Sequence, residues 1–454
     1  MKSTKCLSLL SIFLILIFVQ AGIASQKQLK PRGLAGFTFR AITKADMDSL
    51  NLSDMNGVIV TRIFPNTPAA RAGLQIGDII KKYDDNIILD DSQFIGVTRL
   101  YYAGDQINIA VVRNGKPISM SLTLEAFPEE TSDEVEIEYT SFKNNGIRFR
   151  AIITSPLNSR KRKLPALLLI SALNSPRLIG LPYYNMMREL AYDISKRGFR
   201  VMRFELRGYG DSEGEDYRTM DFDTEVNDNL AALNYLMNRA NVDNKKVFIM
   251  GHSTGGIVAA LLASKRAIAG LITSCTIGRT FYERMVETVR LQNQLSGKSA
   301  TETDKNIKDY LYLTVSVARG DSLSAILERN PDLSRFVNKS NRIMDDRTVD
   351  YWRQLLNINL SEIYSKITEP VLIICGNSDF LTQLACHEHI RDVLITSGNK
   401  DVTLTIIPNL DHAYAYAKDK KESFKNYKTK NFRKNPKAAE QIIEWLLEHT
   451  DKSK

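Results

Sequence analysis

Lys246-Val247-Phe248-Ile249-Met250-Gly251-His252-Ser253-Thr254-Gly255-Gly256 runs from an apolar segment through a glycine-rich turn into a second apolar segment. Val247 to Met250 is short, apolar and followed at once by glycine, which reads as a buried strand; Ile257 to Ser264 reads as a helix. A Gly-x-Ser-x-Gly pattern is weak on its own. Between a strand and a helix it gains meaning, because the reversal holds the serine in a strained turn and the glycines let neighbouring chains approach. Ser253 then stands at a helix N-terminus, where positive partial charge favours an anion. It is the candidate nucleophile.

A serine hydroxyl is a poor nucleophile until a histidine takes its proton and a carboxylate orients that histidine. The chain has five histidines. His252 lies inside the turn, with its side chain expected to point away from that of Ser253. His387 and His389 fall two apart in a predicted helix, on different faces, and His449 lies in a final helical turn. His412 remains, in Pro408-Asn409-Leu410-Asp411-His412, a loop after the last strand and in the chain order serine, acid, histidine. The choice rests on elimination as much as on pattern. Upstream, Val371-Leu372-Ile373-Ile374-Cys375 runs into Gly376-Asn377-Ser378-Asp379, which puts Asp379 at a strand end 33 residues before His412. Asp411 is adjacent to His412, but neighbouring side chains diverge, so it suits a loop or cap carboxylate. Only Cys386 and Glu388 flank His387 and His389, a weak metal-ligand pattern, and neither a metal nor an organic cofactor is expected.

Outward from these residues, Val135 to Thr450 alternates apolar strands with helices, from a hairpin around Asn144-Asn145-Gly146 to an amphipathic helix over Lys437 to Glu448. That pattern implies a parallel sheet covered on both faces, an α/β class. The residues quoted so far resemble the α/β-hydrolase superfamily, and Phe204-Glu205-Leu206-Arg207-Gly208-Tyr209-Gly210-Asp211-Ser212 is similar to its loop after the fourth strand, with Glu205 in place of the usual Asp. The insertion over about 279–367 is rich in helix formers and implies a helical cap; of its large residues Tyr282, Met285, Tyr310, Tyr312 and Trp352, most are expected to be cap core. The whole is similar to capped bacterial carboxylesterases of the EstD kind and to lysophospholipase-like members.

The resemblance implies hydrolysis of a small-molecule acyl ester through an acyl-enzyme on Ser253. By position it also implies oxyanion amides at Thr254 and Leu173. The loop Ser171-Ala172-Leu173-Asn174-Ser175 departs from the family, whose members carry glycines there; a distorted loop would mean a slow enzyme. Serine peptidases and acyltransferases use the same three residues, and both stay open.

The first part of the chain reads differently. Short β-runs punctuated by turns extend from about Gly33 to Phe127, with Asn114-Gly115 as a strong hairpin turn. Phe64-Pro65-Asn66-Thr67-Pro68-Ala69-Ala70-Arg71-Ala72-Gly73-Leu74-Gln75-Ile76-Gly77-Asp78-Ile79-Ile80 resembles the PDZ domains of bacterial envelope proteases. That resemblance places a peptide-binding segment at Leu34-Ala35-Gly36-Phe37, where a peptide or protein C-terminus would add as a strand. A PDZ-based binding protein with a weakly active hydrolase is therefore a further alternative, and so is a module that packs on its neighbour as a spacer or lid. The expected organisation is a leader over 1–25, a mostly-β PDZ domain over 26–127, an exposed acidic connector over 128–134 that lets the parts move, and the hydrolase domain over 135–454.

Lys2 and Lys5 precede an apolar run from Leu7 to Val19, and small residues follow. This reads as a signal peptide, with an uncleaved anchor as the alternative, and implies a periplasmic or secreted bacterial protein. Of 454 residues, 43% are hydrophobic and 25% charged, which excludes disordered and polytopic membrane classes. The formal charge of +9 is spread along the chain, so no nucleic-acid partner is expected. The basic stretch Lys418 to Lys437 reads as a solvated loop, with peripheral contact to anionic lipid or polymer as the alternative. Cys275, Cys375 and Cys386 are read as buried thiols, with one disulfide among them left open.

Overall fold

The computed structural model describes residues 29–171, 185–338 and 341–452. The expected leader and Leu173 lie outside the described residues. Two large sheets organise the rest.

In the first, strands β2 (Phe37–Ala41), β3 (Val58–Ile63), β4 (Ile79–Tyr83), β6 (Gln106–Arg113) and β7 (Lys116–Thr123) pair in the order β2-β3-β4-β6-β7. The short β5 (Asn86–Ile87) pairs with β4, and β1 (Gly33–Leu34) pairs with β8 (Glu125–Ala126). Asn114 and Gly115 turn β6 into β7 with φ of 51° and 74°, the left-handed pair that a two-residue hairpin requires. β2 is an edge strand. Facing it, the helix Asp91–Thr98 packs Phe94 on Phe39 at 4.7 Å and on Phe37 at 6.2 Å between ring centres.

The second sheet has eight strands: β9 (Val135–Asn144), β10 (Ile147–Pro156), β11 (Leu164–Ile170), β12 (Arg200–Phe204), β13 (Val242–His252), β14 (Gly270–Ser274), β15 (Val371–Gly376) and β16 (Val402–Ile407). Their order is β16-β15-β14-β13-β11-β12-β10-β9. The run from β12 to β16 is parallel, and the β9–β10 hairpin lies antiparallel at one edge. After β11 the chain goes to β12 on one side and then to β13 on the other. This reversal opens a crevice at the carboxyl ends of the strands, where such sheets place their sites. β11, β14, β15 and the second half of β13, from Val247, are buried almost throughout, which is why they read as continuous apolar runs. The fold is that of the α/β hydrolases, with a PDZ region before it.

Between β14 and β15 the chain builds the expected cap from the helices Phe281–Leu295, Ala300–Arg319, Leu323–Arg329, Val349–Leu356 and Leu360–Tyr364. Met285 and Trp352 are buried in its core, Tyr282 and Tyr310 are half-buried, and Tyr312 is exposed.

Two expectations need correction. The connector 128–134 is not a free, exposed tether: Glu130 is buried and forms a two-pronged ion pair with Arg203 on β12, at 2.8 and 3.1 Å, while Tyr192 donates to it at 3.0 Å. The two regions also touch directly. Ser92 receives hydrogen bonds from Arg218 and from the cap residue Arg342, at 3.0 and 2.6 Å, Arg99 pairs with Asp216, and the Arg32 amide donates to Asp211 at 2.8 Å. The second correction concerns Lys418 to Lys437, which is not a loop throughout. Lys420–Thr429 is a helix, started by Asp419 as its cap and ended at Lys430 in a left-handed conformation.

Candidate active site

β13 ends at His252, and the helix Thr254–Ala263 begins two residues later. Ser253 between them has φ 56° and ψ −126°, a strained backbone that a non-glycine residue adopts only when its surroundings impose it. Those surroundings are neighbouring backbone and one threonine hydroxyl. The Ser253 amide donates to the Ser274 carbonyl at 2.8 Å, and Thr276 Oγ1 donates to the Ser253 carbonyl at 2.6 Å. A Cβ on Gly251 would come within 2.1 Å of the Gly255 carbonyl oxygen, and one on Gly255 within 2.5 Å of the Ser171 carbonyl oxygen. These close approaches give the physical meaning of both flanking glycines.

Asp379 follows β15 and is buried. It accepts the amides of Leu381 and Thr382 on Oδ1, at 2.7 and 3.0 Å, leaving Oδ2 to meet His412 Nδ1 at 2.8 Å. Burial pushes the carboxyl up, but the His412 ring and the two amides outweigh it and hold Asp379 below its ordinary value. The imidazole is thus oriented from one nitrogen by a carboxylate fixed in place by backbone donors. Asp411 has the loop role expected of it: Oδ1 accepts the amides of Ala413 and Ala415, both at 2.8 Å, and burial raises this carboxyl to about 6.

Sequence reasoning missed how His252 is used. Its ring packs 4.9 Å from that of His412, and Nδ1 lies 3.1 Å from Ser274 Oγ, which in turn bonds the Tyr414 hydroxyl. Burial, together with the His412 ring, holds His252 well below the usual imidazole range. Tyr414 and Cys275 also adopt positive φ, 56° and 45°. Backbone strain thus gathers around the same crevice, in residues that no motif marks.

The structure brings Asp379 and His412 together and sets Ser253 beside His252, whose ring touches His412. Thr254 is the first, buried residue of the helix that follows Ser253. Leu34, in β1, pairs with Glu125 of β8, Gly36 has φ 92°, and Phe37 opens the edge strand β2, with Ala35 between Leu34 and Gly36. His387 and His389 do not converge: His387 Nε2 accepts the Thr276 amide at 3.1 Å, and His389 Nε2 lies 2.9 Å from Ser361 Oγ. Burial lowers His387 to about 4, so its ring serves as a neutral acceptor under the turn. Among the described residues, Cys275, Asp379 and His412 place potential ligand atoms within 4.8 Å of one another. Burial pushes the Cys275 thiol well up, and the Asp379 oxygen nearest His412 is already bonded to it, a poor fit to a thiolate-bearing metal site. All three described cysteines are free and buried.

Comparison with known proteins adds the family. The sequence profile of the family described as "Serine aminopeptidase, S33" matches residues 182–419, and that of the PDZ domain matches residues 33–124. A "Probable periplasmic serine endoprotease DegP-like" from Pseudomonas fluorescens is 28% identical over 132 residues, covering 29% of this chain and 28% of that protein. "Thiohydrolase aneE" from Aspergillus aculeatus is 30% identical over 138 residues, covering 29% of this chain and 43% of that protein. The chain therefore spans less than half the length of these curated relatives. Among solved structures, Est1E from Butyrivibrio proteoclasticus aligns with 16% identity and a TM-score of 0.42, over 69% of this chain and 99% of its own.

Proposed function

We propose that this chain, which belongs to the hydrolase family described as "Serine aminopeptidase, S33", cleaves carboxylic esters through an acyl-enzyme on Ser253. The observations that support the reading are the 2.8 Å bond between Asp379 and His412 Nδ1 and the strained strand-to-helix backbone at Ser253. With Nδ1 committed to Asp379, Nε2 is the nitrogen left to act as base. His412 takes the Ser253 proton as Oγ attacks the ester carbonyl, and the oxyanion forms against the amide of Thr254 and that of Leu173. His412 then returns the proton to the departing alcohol. Water repeats the sequence on the acyl-serine and releases the acid.

The PDZ region is assigned peptide binding or positioning, through Leu34, Ala35, Gly36 and Phe37 with β2 as the receiving edge. The working site lies outside the cytoplasm in this reading, supported by the leader-like start and by relatives named as periplasmic. A basic helix over Lys420–Thr429 suits peripheral contact with an anionic surface.

A serine peptidase is the second reading, favoured by the family's own description. The test is turnover of p-nitrophenyl esters, acetate through palmitate, against matched p-nitroanilides, by the full chain and by Ser253→Ala. Ester turnover that disappears in the variant is expected. Anilide cleavage exceeding ester cleavage would transfer the assignment to the peptidase, and turnover persisting in Ser253→Ala would overturn both.

A further inference from the structure

His252 takes no part in the reaction as written above, yet it is buried in polar company beside the base. Its Nδ1 lies 3.1 Å from Ser274 Oγ, which also bonds the Tyr414 hydroxyl. Its ring stands edge-on to that of Tyr414, 5.6 Å between centres, and tilted against that of His412 at 4.9 Å. A further hydrogen bond joins the ring to the His412 backbone. His252, Ser274 and Tyr414 are all buried.

The protons of this chain can be placed. Burial first, and the His412 ring second, keep the His252 imidazole neutral, while Asp379 and the His412 backbone act the other way. A neutral imidazole carries one proton. Nδ1 faces a hydroxyl, which can donate, whereas a backbone carbonyl can only accept. Nε2 therefore donates to the His412 carbonyl, Nδ1 accepts from Ser274, and Ser274 accepts from Tyr414. A neutral ring here does not repel the charge that His412 gains during the reaction.

Two parts of the site meet in this chain. Ser274 ends β14, and its carbonyl accepts the Ser253 amide at 2.8 Å. Its backbone thus holds the turn of the nucleophile, while its hydroxyl reaches the loop that carries the base. On that loop, Tyr414 lies two residues beyond His412 and has φ 56°, and Asp411 accepts the amides of Ala413 and Ala415. Asp379 orients the His412 ring from Nδ1. A well-oriented ring on a displaced loop is still misplaced, and an error of about 1 Å costs about 10²-fold in rate.

We propose that His252 is a positioning residue for the reaction: through Ser274 and Tyr414, and through the His412 backbone, it fixes the loop that presents His412 to Ser253. This rests on the ester-hydrolase reading above and adds to it a second support for the base, separate from Asp379.

The test uses the full chain. For the parent, Tyr414→Phe, His252→Phe and the double variant, kcat and KM are measured with p-nitrophenyl butyrate, beside the rate at which a fluorophosphonate labels Ser253. Each single variant is expected to lose about 10- to 100-fold in kcat and in labelling rate, with KM nearly unchanged. Both changes break one chain of bonds, so the double variant is expected to lose no more than the slower single variant. His252→Asn, whose side-chain amide reaches the place of Nδ1, is expected to recover most of the lost kcat. If His252→Phe does not fold, Ser274→Ala takes its place in the cycle. Losses that multiply in the double variant, losses confined to KM, rates unchanged in either single variant, or an asparagine variant no faster than the phenylalanine one would overturn the proposal. Failure of the underlying reading shows separately, as turnover persisting in Ser253→Ala or as a parent chain that hydrolyses no ester; in the second case the labelling rates alone carry the comparison.

Discussion

At the level of single residues, the candidate site turns on Asp379. Its two oxygens are divided between backbone amides and His412, so replacing it with asparagine keeps the shape while presenting the wrong group to Nδ1. We expect Asp379→Asn to lower kcat for ester hydrolysis by about 10³- to 10⁴-fold with KM nearly unchanged, measured with p-nitrophenyl butyrate. A second test concerns Asp411, whose folded pKa of about 6 stands above its ordinary 3.8. A raised carboxyl stabilises the fold below the unfolded value, and that contribution is lost as pH rises through the folded value. Relative to Asp411→Asn, the protein should therefore lose stability on the order of 2 kcal/mol between pH 4 and pH 7, read by urea unfolding at both pH values. The strand-end positions of the candidates Ser253 and Asp379 were legible because each follows an apolar strand, and a strand end is visible in one dimension; His412, in a loop after the last strand, was reached as much by elimination. The contact between His252 and His412 was not, because it joins residues 160 apart that only the sheet order brings together.

At the level of elements, the turn around Ser253 is a packing solution. A Cβ on Gly255 would meet two carbonyl oxygens, of Ser171 and Ile170, at 2.5 and 2.6 Å, and neither can swing aside as a side chain would. Gly255→Ala should destabilise the protein by at least about 2 kcal/mol and displace the end of β11, seen as a lower urea midpoint at unchanged slope. The strands were readable because burial on both faces makes them continuously apolar. The helix Lys420–Thr429 was not, because only Ser423 is buried along it and no apolar stripe marks its period. What holds it is aromatic: Phe424 and Tyr427 pack on Phe380, the residue after Asp379, at 5.2 and 5.6 Å. Pairing across chain distance of that kind leaves no local trace.

For the whole molecule, the joint between the PDZ region and the hydrolase is the feature composition misjudged. An acidic, proline-led connector looks like a solvated tether, yet the side chains of Glu130 and Arg203 are each only 1% exposed and pair with one another. Acidic character, which signals solvent when a residue stands alone, here answers a buried arginine on β12. Glu130→Ala would leave Arg203 charged and uncompensated, at a cost of about 3–5 kcal/mol. Calorimetry should then show the hydrolase region melting earlier and the PDZ region separating as its own transition, where the parent chain melts as one. Two independent transitions in the parent would contradict this account of the joint.

The central claim is that Ser253 is an activated nucleophile, and that is open to direct measurement. The full chain is treated with a fluorophosphonate and its intact mass and modified peptide are determined, beside Ser253→Ala and Asp379→Asn. The account predicts one phosphonyl group per chain, on Ser253, absent from Ser253→Ala and formed much more slowly in Asp379→Asn. An unlabelled chain, or a label on another residue while ester turnover continues in Ser253→Ala, would contradict it.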